Sequence, residues 1–69
     1  MKKYFDFKDA LDYMLAGDTV GIVINDKERL YYFKDNEFWC IPNKNSNMKY
    51  KVNKFFTDSI ILNNWYEAN

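Results

Sequence analysis

Residues 5–24 constrain the fold most, because they combine a helix, a stop signal and a strand with little chain between them. Asp6 is a suitable N-cap, since its carboxylate can accept a hydrogen bond from an amide of the first turn. Gly17 can adopt the left-handed conformation that ends a helix. Between them, apolar side chains recur with the spacing of one helix face, at Phe7, Ala10, Leu11, Met14 and Leu15. The β-rich run 19–24 follows at once, so the sequence predicts an N-terminal helix that leads into a sheet.

The next segment predicts a β-hairpin. Residues 25–28 are polar and turn-forming, and we expect them to join the first strand to a second strand over 29–34. Asp35 and Asn36 both tolerate positive φ and predict a two-residue loop to a third strand over 37–41. The loop fixes the register, with the pairs Lys34–Glu37, Phe33–Phe38, Tyr32–Trp39, Tyr31–Cys40 and Leu30–Ile41. Both faces of this hairpin are apolar, so we expect that both are covered or that one meets a partner.

The remainder completes an α+β domain. Apolar and polar residues alternate over 48–53, which predicts a fourth strand, and 65–68 predicts a last one. Thr57 can cap a short helical turn over 57–62. Gly21 inside the first strand indicates a close backbone approach, and we expect it to lie against the helix. The prediction is one domain, with an N-terminal helix packed on a four- to five-stranded antiparallel sheet and a short helical turn before the last strand.

The residue types exclude most catalytic chemistry. The chain has no histidine and one cysteine, so a histidine base, a disulfide and a structural zinc site are not expected. Cys40 is predicted mid-strand, where a cysteine is usually a packing residue. With two glycines there is no Gly-rich phosphate loop. The spacing of Asp6, Asp9 and Asp12 suits capping and solubility. We therefore expect a protein that is not an enzyme and uses no cofactor and no metal.

Size and charge narrow the range of partners. A chain of 69 residues buries a limited core, and its six Phe, six Tyr and two Trp either fill that core or face a ligand or subunit. The net charge is zero, so we expect no direct binding to duplex DNA, and no apolar run is long enough for a membrane span. One free thiol suits the cytoplasm. Acids dominate residues 4–18 and lysines residues 44–54, which indicates solvated faces or binding patches.

Candidate binding residues follow from these patches. Lysines of the fourth strand, together with an arginine, could pair with phosphates, and neighbouring aromatic rings could stack on a base. The candidates are Arg29, Tyr31, Trp39, Lys49, Tyr50, Lys51 and Lys54. Alternating lysines also protect an edge strand from aggregation, so a structural role stays open. On the helix, Asp9 and Asp12 could contact a basic partner.

Both ends of the chain resemble a known family. Residues 7–20 (FKDALDYMLAGDTV) are similar to a start of the form Phe-x-x-Ala-Leu, a short spacer and Gly-x-x-Val. Residues 57–66 (TDSIILNNWY) are similar to an ending of turn, short helix, Asp/Asn-Trp and strand. Both patterns are those of the Thoeris anti-defence family of small phage proteins. The resemblance implies a helix packed on an antiparallel sheet, a homo-oligomer, and sequestration of a cyclic nucleotide immune signal without cleavage.

Two functional hypotheses follow. The first is a sponge that binds a cyclic nucleotide signal of bacterial immunity. The second is a protein-binding inhibitor of a CRISPR effector nuclease, an activity reported for relatives of the family, which would use the acidic helix or the aromatic sheet. Binding to a host protein unrelated to immunity is a third possibility. In each case we expect action in the cytoplasm of a host bacterial cell.

Overall fold

The part of the chain that the structure describes contains six strands and one helix of more than a single described residue. The computed structural model describes residues 3–43, 47–55, 60 and 63–68. In chain order the elements are β1 (Tyr4–Phe5), α1 (Phe7–Leu15), β2 (Val20–Ile24), β3 (Lys27–Lys34), β4 (Glu37–Ile41), β5 (Tyr50–Val52) and β6 (Trp65–Glu67). The strands form one antiparallel sheet in the order β1-β6-β2-β3-β4-β5. The predicted α+β class, with an N-terminal helix on an antiparallel sheet, is confirmed, and the sheet has six strands rather than four or five.

Local signals at both ends of α1 act as the sequence predicts. The Asp6 carboxylate accepts a hydrogen bond of 2.9 Å from the Asp9 amide, which satisfies one donor of the first turn. Gly17 has φ +98° and donates to the Met14 carbonyl at 3.0 Å. The Asp18 amide reaches back to the Tyr13 carbonyl, also at 3.0 Å. Together these two bonds form a Schellman motif, so the helix ends where the glycine allows it.

The register of the β3–β4 hairpin is confirmed. Asp35 and Asn36 have φ of +56° and +62°, as a tight two-residue hairpin turn requires. The five cross-strand pairs are those that such a loop dictates, namely Lys34–Glu37, Phe33–Phe38, Tyr32–Trp39, Tyr31–Cys40 and Leu30–Ile41.

The β2–β3 connection is shorter than the sequence predicts. The prediction of a loop over residues 25–28 is wrong, because Asn25 and Asp26 alone form the turn, with φ of +52° and +63°. Strand β3 therefore begins at Lys27 rather than at Arg29. Since an antiparallel pair gains a ladder bond for each residue added, the polar residues after the turn extend the strand. The extension directs the Lys27 and Arg29 side chains to one side of the sheet.

The edges of the sheet differ from the expectation. Strand β1 was not predicted, and it pairs with β6, with Tyr4 opposite Tyr66 and Phe5 opposite Trp65. Strand β5 covers 50–52 and β6 covers 65–67, each shorter than predicted. The predicted helical turn over 57–62 lies outside the described residues except for Ile60, which is helical.

One face of the sheet, the helix face, carries the core. The helix contributes two buried side chains, Ala10 and Met14, and the sheet contributes four more, Val20, Ile22, Tyr31 and Trp65. Phe55, which follows β5, packs on the same face with its ring 5.2 Å from that of Tyr31. Each large ring buried here removes roughly 150–250 Å² of surface from water. A short chain therefore buries much apolar surface with few core residues.

The opposite face, the outer face, carries apolar side chains from five strands: Tyr4, Val23, Leu30, Tyr32, Trp39, Ile41 and Tyr66. Tyr66 is buried because its ring lies across Gly21, and a Cβ at Gly21 would stand 2.5 Å from the ring. The expectation that Gly21 lies against the helix is thus corrected, because α1 packs on the other face. Tyr4 and Val23 keep 56% and 41% of their surface exposed.

Candidate functional site

A cleft of about 540 Å³ opens where the β2–β3 turn, the end of β4 and the start of β5 meet. Its lining consists of Asp26, Lys27, Glu28, Arg29, Cys40, Pro42, Asn43 and Tyr50. The volume falls within the range of small-molecule sites, which is roughly 300–1,000 Å³. A ligand of nucleotide size would therefore fit this cleft.

Strand alternation explains why these side chains meet. Lys27 and Arg29 are two residues apart on β3 and point to the helix face. Cys40 and Tyr50 are directly opposite each other on β4 and β5 and point to the same face. Pro42 follows directly after β4 and cannot donate to a continued ladder, so the sheet opens here. The result is two cationic side chains on one wall and an aromatic ring on another.

Polar groups form the floor of the cleft next to the core. The Tyr31 hydroxyl hydrogen-bonds the Cys40 sulfur and also interacts with Arg29. Burial, reinforced by Cys40, raises the pKa of Tyr31 to about 12, and Arg29 acts in the opposite direction. Burial also raises the pKa of the Cys40 thiol, against the hydrogen bond from Tyr31. Both groups therefore stay protonated at neutral pH, and a thiol in that state is a poor nucleophile.

The charges of the lining suit a ligand with both phosphate and hydroxyl groups. Lys27 is exposed and Arg29 is partly buried, so both guanidinium and ammonium donors border the cleft. Asp26, in the turn, adds a carboxylate that can accept from a sugar hydroxyl. Tyr50 is 52% exposed, which leaves its ring available for stacking. Glu28 also lines the cleft, although strand alternation assigns its side chain to the outer face.

The structure brings together two of the residues that the sequence singles out, Arg29 and Tyr50. Tyr31 is only 2% exposed, and its ring contacts those of Phe55 and Trp65. The candidate role of Tyr31 as a stacking platform is therefore corrected, because its ring is part of the core. Its hydroxyl contributes to the cleft only through Cys40 and Arg29.

The other lysine candidates lie away from the cleft. Lys49 and Lys51 alternate with Tyr50 and so belong to the outer face. The Lys49 ammonium lies 4.9 Å from the centre of the Trp39 ring, a cation–π contact. The Lys51 ammonium pairs with the Glu37 carboxylate at 2.8 Å. Lys54 is exposed in the bend after β5. Alternation therefore splits the expected lysine–tyrosine patch between two faces.

The acidic candidates line a second cleft of about 470 Å³ beside α1. Asp9, Asp12 and Asp18 contribute the acids, and the remaining lining residues are Lys3, Phe5, Tyr13 and Ala16. In the part of the chain that the structure describes, no three acidic or thiol side chains are grouped closely enough to hold a metal ion. Three carboxylates and the ammonium group of Lys3 therefore border this cleft.

Sequence reasoning missed Lys27, Asp26 and Asn43 as site residues. The i, i+2 spacing of Lys27 and Arg29 is the signal that could have found the first of them, once the strand is known to start at residue 27. The other two depend on how three separate chain segments meet.

No protein-family model, no curated protein and no solved structure matches this chain. Within the described residues, no helix combines the length and the apolar character that crossing a bilayer requires.

Proposed function

We propose that this protein is a non-enzymatic anti-defence protein of a phage or mobile element that sequesters a cyclic nucleotide immune signal in the host cytoplasm. The single observation that carries the proposal is the cleft that joins Lys27, Arg29 and Tyr50. The resemblance of both chain ends to the Thoeris anti-defence family supports the same ligand class. A homo-oligomer is part of this proposal.

The chemistry of a nucleotide fits each wall of the cleft. Phosphate oxygens would accept hydrogen bonds from Arg29 and Lys27, and such charge-assisted bonds contribute roughly 1.5–3 kcal/mol each. A base would stack on the Tyr50 ring, which contributes roughly 1–3 kcal/mol. Ribose hydroxyls would donate to Asp26. The same cleft would hold a neutral ligand less well, because its cations would lose hydration without gaining a charged partner.

Capture rather than turnover is part of this proposal, and the protonation of Tyr31 and Cys40 supports it. Cleavage of a phosphodiester or glycosidic bond needs a base or nucleophile that is active near neutral pH. The raised pKa values of Tyr31 and Cys40 keep both groups protonated there. The ligand is therefore expected to leave the cleft chemically unchanged.

Isothermal titration with a panel of cyclic nucleotides and cyclic ADP-ribose isomers tests the proposal. We expect a heat of binding with at least one member of the panel and a tenfold or greater loss of affinity for Lys27→Ala. Denaturation of the complex should release the ligand chemically unchanged. Lys54→Ala is the matched control, since it removes an exposed lysine outside the cleft. No heat from a folded sample with any member of the panel excludes the sponge.

A second candidate is an inhibitor that binds a CRISPR effector protein. The observation that favours it is the row of carboxylates along the cleft beside α1. These could occupy a channel that normally holds nucleic acid, and the complex should weaken with added salt. Asp9→Asn combined with Asp12→Asn should then abolish inhibition while Lys27→Ala leaves it intact. The reverse pattern would assign the activity to the cleft of Lys27 and Arg29.

A further inference from the structure

Strand β5 forms one edge of the sheet, so only one side of its main chain is paired within the sheet. The strand order is β1-β6-β2-β3-β4-β5, and among the residues that the structure describes no strand lies beyond β5. On its inner side β5 pairs with β4, with Lys51 opposite Trp39 at the centre. On its outer side an edge strand presents amides and carbonyls to any chain that comes beside it.

The register of the β3–β4 hairpin shows which main-chain groups of β5 face away from the sheet. The two residues that flank a two-residue loop bond to each other through both main-chain groups, and bonded and non-bonded pairs then alternate along the strands. Lys34 and Glu37 flank the loop, so Trp39, two residues beyond Glu37, bonds to β3. The main chain of Trp39 therefore faces away from β5. Its neighbour Lys51 directs its own amide and carbonyl to the outer side of β5.

Lysines surround these outward-facing groups. Lys49 and Lys51 are two residues apart and project to the outer face, and Lys54 follows in the bend after β5. All three residues are exposed, and the whole segment 44–54 contains four lysines and no acidic residue. The Lys51 ammonium contacts the Glu37 carboxylate at 2.8 Å, but with three donors it can bind a second carboxylate as well. The edge therefore combines an outward donor and acceptor with positive charge.

We propose that this edge binds an extended acidic segment of a partner protein, which adds to the sheet as a further antiparallel strand beside β5. Main-chain hydrogen bonds to Lys51 supply affinity, and the side chains supply selectivity. The partner residue opposite Lys51 shares the outer face, so an acidic side chain there meets the ammonium group. The residues on either side of it project to the helix face beside Tyr50 and Val52, where apolar side chains fit. The segment recognised therefore alternates acidic and apolar residues.

A second copy of the same edge is a poor occupant. Two β5 strands paired about a two-fold axis bring like charges together, because lysine is the only charged residue type in the segment 44–54. Edge lysines prevent aggregation through this repulsion. The same lysines favour an acidic strand over a basic one, so protection and selective binding are compatible roles.

A single-stranded nucleic acid is the competing occupant, because lysines also bind phosphates. The main chain of the edge disfavours it. Phosphate oxygens accept hydrogen bonds and do not donate them, so a phosphate backbone leaves the outward carbonyl of Lys51 without a donor. An extended polypeptide offers a donor and an acceptor together, which matches both main-chain groups of Lys51.

Fluorescence polarisation with labelled peptides of about six residues tests the proposal. The acidic probe alternates glutamate with valine, the basic control alternates lysine with valine, and the block control places all glutamates before the valines. The acidic probe should bind the wild type at least about tenfold more tightly than either control, and added salt should weaken it. No binding of the acidic probe to folded protein at up to about 1 mM overturns the proposal. The assay contains no nucleotide, so its result does not depend on the nucleotide cleft.

Methylation of the peptide amides tests strand addition and leaves the protein unaltered. In the antiparallel pair with Lys51 the glutamates make the main-chain bonds, and the valine amides point away from β5. N-methylation of the glutamate amides should therefore abolish binding, whereas N-methylation of the valine amides should change the affinity by less than about threefold. Equal effects of the two methylations contradict strand addition. Displacement of the probe by oligothymidine at equal concentration would assign the edge to nucleic acid instead.

Charge exchange at Lys51 locates the site. Lys51→Glu should weaken the acidic probe roughly tenfold and strengthen binding of the basic control, because the cross-strand charge pair changes sign. Lys8→Glu is the matched control, since Lys8 is an exposed lysine on α1. Circular dichroism checks that both variants are folded. Equal weakening by the two variants would show that the probe responds to overall charge, which overturns the assignment to the edge.

Discussion

At the scale of single residues, the most informative contact is the one between Tyr31 and Cys40. Tyr31 sits in the core below α1, yet its hydroxyl reaches the cleft through Cys40. A buried hydroxyl needs a partner, and a neutral thiol supplies one without placing a charge in the core. The pair thus completes the core and leaves the Arg29 side of the cleft cationic.

The Tyr31 hydroxyl should make stability fall in alkaline solution. Its folded pKa of about 12 lies above the ordinary value of 10.0, so folding favours the protonated form. The stabilisation from this shift is complete below pH 10 and is lost as the pH rises through 12. The free energy of unfolding should therefore fall by on the order of 2–3 kcal/mol. The raised Cys40 pKa acts in the same direction from about pH 9. Urea unfolding from pH 7 to 11.5 should show a shallower decline for Tyr31→Phe, and an unchanged decline would contradict the assignment.

Gly21 is required by the Tyr66 ring and not by the helix. An alanine Cβ at this position would stand 2.5–2.8 Å from ring atoms and the hydroxyl of Tyr66, which is itself buried. Gly21→Ala should therefore destabilise the fold by about 1–3 kcal/mol in thermal or urea unfolding. The loss of stability caused by Gly21→Ala should be smaller in a Tyr66→Leu background, because the ring that overlaps the new Cβ is absent there.

Gly17→Ala is the matched control for that cycle. Nothing lies within 4 Å of a Cβ at Gly17, but its φ of +98° is strained for alanine. It should cost about 1 kcal/mol in either background. Equal losses for Gly21→Ala with and without the Tyr66 ring would show that the close approach does not matter.

At the scale of elements, the β2–β3 and β3–β4 hairpins have the same kind of turn. Both turns use two consecutive residues with positive φ, and each contains an aspartate and an asparagine rather than a glycine. Asn36→Gly should stabilise the protein by about 0.5 kcal/mol, since glycine adopts φ +62° without a Cβ penalty. Asn53→Gly, in the exposed bend after β5, is the control and should be neutral or slightly destabilising. A loss of stability for Asn36→Gly, measured by thermal unfolding, would contradict this reading of the turn.

Elements with local signals could be predicted, and those built by distant contacts could not. Asp6, Gly17 and the Asp35–Asn36 turn each act on their own neighbours, so the helix and the hairpin register followed from sequence. Strand β1 has two residues and exists because β6 arrives beside it, which no local pattern reveals. The tight β2–β3 turn was missed because Lys27 and Glu28 are polar at an exposed strand end.

The grouping of residues in the candidate cleft could be predicted only in part, for the same reason. Arg29 and Tyr50 were singled out by residue type, and both line the cleft. Their grouping with Lys27 depends on three chain segments meeting at one end of the sheet. Tyr31 was misplaced on the surface because both faces of the hairpin are apolar, and only the position of α1 distinguishes them.

At the scale of the whole molecule, Phe55 joins parts of the fold that are far apart in sequence. It follows β5 at one edge of the sheet, and the chain then returns to β6 near the other edge. Its ring lies 5.0 Å from that of Phe7 on α1 and 5.5 Å from that of Phe38 on β4. The rings of Tyr31 and Trp65 are 5.2 and 6.2 Å away. One side chain therefore connects the helix with three strands.

Removal of the Phe55 ring should cost more stability than removal of any ring that contacts a single strand. Phe55→Ala should reduce the free energy of unfolding by about 2–4 kcal/mol, a large fraction of what a domain of this size has. Phe33→Ala is the matched control, because its ring contact among the described residues is with Phe38, 4.8 Å away on the neighbouring strand. Urea unfolding of both variants measures the difference. Equal losses would mean that the contacts of the Phe55 ring with the helix and three strands add nothing to stability beyond those of an ordinary ring pair, which would contradict the role assigned to Phe55.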